Sequence, residues 1–159
     1  MLLDRIDFAL LRLLRRNARL PNKDLAERVG IAPSTALERV RRLRESRTLL
    51  GFHAEIAPAA IGIGLQALVT VRLAKHSREL LEGFQGHLRT LPEVLAFYHV
   101  AGADDFVVHV GVCDSAHMRE FALVALTERP EVAHIETRLI FEFQRNTELP
   151  ARPELEFDR

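Results

Sequence analysis

The chain carries a single cysteine, Cys113, in 159 residues. No intramolecular disulfide framework can form, and the composition suits a reducing compartment. No stretch reaches the roughly 18 consecutive apolar residues of a membrane-spanning helix. The most apolar early run, around Phe8–Leu14, is interrupted by Arg12 and followed by Arg15 and Arg16. A signal-peptide pattern is lacking too, so the expectation is a cytoplasmic protein with no membrane partner. Catalytic signatures are equally scarce: there is no nucleophile elbow, phosphate loop, dinucleotide fingerprint, Cys-x-x-Cys or His-Glu-x-x-His. Of the seven histidines, His99, His109 and His134 fall on expected strands together with Cys113. Polar-tipped strand residues at an interface account for them without a metal. The expectation is therefore a protein that is not an enzyme and carries no metal or other cofactor.

What the chain does have is 48% hydrophobic residues, enough for real cores, and a length that admits two small domains. The formal net charge is zero, but its distribution is not even. Residues 1–50 hold 12 Lys/Arg against 6 Asp/Glu, and residues 51–159 hold 10 against 16. A basic module joined to an acidic one points to a polyanion partner for the first.

The basic half reads as three short helices. Asp4 can cap the first, with Asp7 three residues on as an acidic relative of the capping box. Ile6, Leu10, Leu13 and Leu14 then mark its inner face to about Asn17. Arg19-Leu20-Pro21 is a break. A second helix, Lys23 to Val29, turns Leu25, Ala26 and Val29 inward and ends at Gly30. The third begins at Pro33, a residue suited to the first helical position. Ala36, Val40 and Leu43 form its apolar stripe, while Ser34, Glu38, Arg41, Arg42 and Glu45 fall on the opposite side, with Arg39 and Arg44 flanking the stripe. A short basic helix entered through a tight turn is what the recognition helix of a helix-turn-helix needs. The following stretch, Leu49–Ile56, reads as extended and stands where a winged variant places its wing.

Pro58 to Gly64 is low in charge and contains Gly62 and Gly64, which marks a linker. Beyond it the pattern alternates. Strands are expected at Leu65–Ala74, Glu93–Ala101, Phe106–Cys113 and Val132–Arg145, and helices at Ser77–Leu91 and Ser115–Glu128. The order βαββαβ is the ferredoxin-like, split-βαβ arrangement. Residues 106–113 are largely apolar on both faces. A four-stranded sheet with helices on one side leaves its second face wanting cover, most simply by a second copy. The fold class is thus α+β: a winged helix-turn-helix domain over 1–57, a linker over 58–64, a ferredoxin-like domain over 65–145 and a tail over 146–159.

For DNA, the candidate residues are Ser34, Thr35, Glu38, Arg39, Arg41 and Arg42. Arginine pairs with guanine, a carboxylate accepts from cytosine, and hydroxyls serve bases or phosphates. Arg39, beside the core stripe, suits a structural or phosphate-facing role. For a small ligand the hairpin Val100-Ala101-Gly102-Ala103-Asp104-Asp105-Phe106 is the best candidate. Gly102 permits close backbone approach, Asp104 or Asp105 can hold an ammonium group, and free backbone N–H groups can hold a carboxylate.

Five pieces in register resemble the Lrp/AsnC family of transcriptional regulators. They are Leu3-Asp4-x-x-Asp7, Leu25-Ala26-x-x-Val29-Gly30-Ile31, Arg39-Val40-x-Arg42-Leu43, Gly51-Phe52-x-Ala54 and Gly102-x-x-Asp105-Phe106. The resemblance implies double-stranded DNA as partner, self-assembly into dimers and often octamers, and an amino-acid effector bound between dimers near the hairpin. It also places Thr137 near that pocket. The alternative is an architectural DNA-binding protein with no small-molecule effector. The chain departs from the family pattern at Ala32 and Pro21, where side-chain caps are usual, and at Arg47, where the family has glycine.

Overall fold

The computed structural model describes residues 2–146. It divides into two compact units, one running to Glu55 and including the chain from Gln144, the other spanning Ile56–Phe143. The expected tail, beyond Asn146, lies outside the described residues.

The first unit is three helices: α1 (Arg5–Arg16), α2 (Asn22–Val29) and α3 (Pro33–Glu45). The cap of α1 forms as its sequence requires. Asp7 N–H donates to Asp4 Oδ1 at 2.9 Å and Asp4 N–H donates back to Asp7 Oδ2 at 3.3 Å. Gly30 ends α2 at φ +77°, and its N–H donates to Ala26 O. Pro21 and Ala32 give α2 and α3 no side-chain cap, and Pro33 opens α3 instead. The core is small: Leu10, Leu14 and Leu25 at its centre, closed by Ile6, Leu13, Leu20, Val29, Val40 and Leu49. Ala36 and Leu43 bury the inner stripe of α3.

No strand forms among residues 49–56, so the unit is a helix-turn-helix without a β-wing. The segment is extended in sequence character, yet a strand needs a partner to close its hydrogen bonds, and the structure pairs none with it. Leu49 N–H instead donates to Leu43 O, folding the chain back on α3.

The second unit carries β1 (Leu65–Leu73), α4 (Arg78–Leu88), β2 (Val94–His99), β3 (Phe106–Val112), α5 (Ser115–Phe121) and β4 (Val132–Leu139). The sheet order is β2-β3-β1-β4, every pair antiparallel. Both helices pack on one face. Phe84 and Leu88 of α4 and Met118 and Phe121 of α5 join Ala67, Val69, Val71, Phe106, Val108 and Val110 in one core.

Three expectations shift. The second helix of this unit is not continuous: α5 passes into a π-helical segment, Ala122–Thr127, whose Ala125 carbonyl accepts from His87 Nε2 at 2.8 Å. Its cap is Asp114, one residue before Ser115, with Oδ1 accepting from His117 N–H. The last strand stops at Leu139 although the alternation runs on to Phe143. Its partner explains this: Leu139 stands opposite Ala67, Ile140 N–H reaches Gln66 O, and β1 begins at Leu65. The ladder runs out of strand to pair with.

Candidate nucleic-acid interface and effector region

Helix α3 is held by charge as well as by its apolar stripe. Asp7 is fully buried and accepts from two arginines of α3. Arg39 Nη1 donates to Asp7 Oδ1 at 2.9 Å and to Asp4 Oδ2 at 2.6 Å, and Arg42 Nη2 donates to both Asp7 oxygens at 3.1 and 3.0 Å. The capping box of the first helix thus doubles as the socket for the third. The N–H of Asp7, followed by the Arg39 guanidinium, holds the Asp4 carboxyl below its ordinary value, and the bonds to the Asp4 and Asp7 carboxylates raise Arg39.

This geometry corrects the reading of Arg42 as wholly outward-facing. Its side chain keeps 47% exposure, but one end is fastened to a buried carboxylate. Arg41 pairs with Glu45 on the helix surface at 3.0 Å, and the Arg44 guanidinium lies 6.0 Å from the centre of the Phe52 ring. All four arginines within α3 therefore have partners inside their own unit. Ser34, Thr35 and Glu38 are exposed and make no hydrogen bond or ion pair among the described residues, as the helical phase predicts. Leu37, which the stripe pattern passed over, is 54% exposed at the edge of that face. Its phase, about 40° from Arg41 and about 60° from Ser34, is the signal that could have found it.

In the second unit the hairpin between β2 and β3 divides its residues between solvent and core. Asp105 is nearly buried: Oδ2 accepts from Leu73 N–H at 2.7 Å, and Oδ1 lies 2.9 Å from His76 Nε2. Its backbone N–H donates to Val71 O, and its carbonyl accepts from Val100 N–H. Phe106 is fully buried, stacked on His99 at 5.0 Å and packed against Phe84. Both side chains are committed to the fold. Gly102, at φ +136°, with Ala101 and Ala103 stays exposed, while Asp104 and Val100 are half-buried. Thr137 is exposed on β4, opposite Val69 and two residues along β1 from Val71, whose carbonyl ties down Asp105.

The sheet face away from α4 and α5 carries half-buried Leu68, Val107 and His109, with exposed Leu95 and Tyr98 towards the β2 edge. His109 Nε2 lies 2.8 Å from Gln66 Oε1, its ring 5.9 Å from Phe143, and burial lowers its pKa. Thr70 is buried, and its hydroxyl lacks a partner among the described residues. His99 is absorbed by its stack on Phe106, and His134 and Cys113 are exposed. Among the described residues no helix is long and apolar enough to cross a membrane.

Comparison with known proteins agrees with this architecture from end to end. Residues 3–44 match the AsnC-type helix-turn-helix domain and residues 66–148 the Lrp/AsnC ligand binding domain. The HTH-type transcriptional regulator AldR of Mycolicibacterium smegmatis is 46% identical over 90% of this chain and 84% of its own. The leucine-responsive regulatory protein of Haemophilus influenzae is 30% identical over 91% and 87%. Among solved structures, a transcriptional regulator from Neisseria meningitidis in complex with L-Met superposes with a TM-score of 0.86 at 28% identity, covering 94% of this chain and 97% of that one. The chain belongs to the Lrp/AsnC family: it is a DNA-binding transcriptional regulator, a helix-turn-helix joined to a ligand-binding domain.

Proposed function

We propose that the protein is a sequence-specific regulator that reads the major groove with α3 and responds to an amino acid or similar small metabolite bound at an oligomer interface. The observation that carries the first part is the division of labour on α3. Its arginines are anchored, and Ser34, Thr35 and Glu38 are left open at the N-terminal half, the part that enters the groove in a helix-turn-helix. Arg39 and Arg42 keep 23% and 47% of their side chains exposed beyond the tie to Asp7 and suit phosphate contacts, with Arg41 beside them. The work would be done in the cytoplasm, where the DNA is.

The second part rests on the hairpin. Asp105 and Phe106 fix it to the sheet, which leaves Val100, Gly102 and Asp104 at its surface and Thr137 on the neighbouring strand. Asp104 supplies a carboxylate for an ammonium group, and the hairpin backbone offers N–H groups. The L-Met complex of the Neisseria relative supports this ligand class. The apolar sheet face around Val107 and Tyr98 suits a second copy of the chain, and dimers would assemble further into octamers or other rings.

The test uses the full chain and a pool of duplexes selected by the protein from random sequence, with each amino acid present or absent. Binding should fall steeply with salt, and at least one amino acid should change affinity or solution mass. If no amino acid changes either, effector control is wrong and an architectural DNA-binding role replaces it. A salt slope near zero would remove α3 as the reader, and a monomer by light scattering would remove the interface.

A further inference from the structure

Leu37 stands out once the charges of α3 are assigned. At about 100° per residue it lies about 60° from Ser34, about 40° from Arg41 and about 60° from Val40, at the margin between the outward side and the apolar stripe. It is 54% exposed, the one exposed large apolar side chain of α3, at the edge of the face that carries Ser34, Glu38, Arg41 and Glu45. A lone exposed leucine is ordinary on a protein surface and by itself means nothing. Here its setting is specific. It sits in the second turn of the helix, beside side chains with no partner, while the cations that would otherwise dominate the face are tethered to Asp7 and Glu45. One isobutyl group ringed by polar atoms is too small for a protein interface. It matches a groove floor that is polar except for isolated methyl groups, and in duplex DNA the 5-methyl of thymine is that group.

We infer that Leu37 is a specificity-determining residue that reads thymine through its 5-methyl group. The inference rests on the reading of α3 as the recognition helix. Serine, threonine and glutamate then supply hydrogen bonds to neighbouring base edges, and Leu37 supplies the apolar contact at one defined position.

The experiment first selects duplexes from random sequence with the full-length protein. It then replaces thymine by deoxyuridine, one position at a time, which deletes the methyl and leaves base pairing intact. Wild-type affinity should drop about fourfold at one position per half-site, the worth of one methyl-sized group removed from water. Leu37→Ala should bind thymine and uracil duplexes equally at that position. Leu37→Gln, which keeps the helix and adds an amide, should select adenine there instead. An unchanged thymine-to-uracil ratio in Leu37→Ala overturns the assignment. If Ser34→Ala, Glu38→Ala and Leu37→Ala all select the wild-type sites, the fault lies with α3 as reader and the assignment falls with it.

Discussion

Each unit buries one aspartate at a structural joint, and the two are used in opposite ways. Asp7 sits in a three-helix unit whose central cluster is only Leu10, Leu14 and Leu25, and its carboxylate meets two guanidinium groups and a backbone N–H. Asp105 sits beside a core of fourteen buried side chains and meets one backbone N–H and one histidine. Where apolar area is scarce, a buried charge network fixes the angle between helices. Where it is plentiful, the carboxylate closes a hairpin whose strands would be held anyway. The difference follows from size, since small units bury a smaller fraction of their surface.

Breaking the larger of the two should show it most clearly. Asp7→Ala removes the buried carboxylate that Arg39 and Arg42 share, while Arg39 keeps Asp4, and should destabilise the first unit by about 2–3 kcal/mol. Urea unfolding followed by hydrogen exchange, unit by unit, should find the second unit unchanged. Equal loss in both would mean that the network is not local. Asp105→Ala should cost less, about 1–2 kcal/mol, as one charge-assisted hydrogen bond is lost and Leu73 N–H is left buried. Its signature is faster exchange at Leu73 and along the hairpin. The smallest effect is read by acid at the α1 cap. Asp4 has a folded pKa below its ordinary value, so its contribution is complete above that ordinary value and is lost as pH falls through the lowered one. Acid titration should therefore loosen contacts of the α1 cap in the first unit, and 1 M salt should weaken the exposed Asp4–Arg39 pair in the same direction. An acid response confined to the second unit would contradict the assignment.

The same contrast explains what could be read from the chain without coordinates. Signals that act within a few residues were legible: the Asp4–Asp7 box, Gly30 at a left-handed cap, Pro33 opening α3, and the βαββαβ order. Signals that need a partner from elsewhere were not. Nothing near Arg42 announces a buried carboxylate thirty-five residues earlier. The alternation through Phe141 and Phe143 is a good strand pattern, and it fails because β1 extends only two residues, Gln66 and Leu65, past the partner of Leu139. The wing expectation fails for the same reason. In α5 the apolar spacing is compatible with a regular helix, and the widened π turn shows only in its hydrogen bonds. On α3, phase alone was enough to predict that Ser34, Thr35 and Glu38 are exposed. It passed over Leu37 because a leucine invites assignment to the core.

Arg47 follows α3 with φ +56°, among the described residues the one non-glycine side chain in left-handed backbone. An L-residue gives up about 1 kcal/mol there relative to glycine. Arg47→Gly should make the first unit more stable by about that amount. A single residue just past the end of α3 therefore holds a reserve of stability that no contact in the unit reveals.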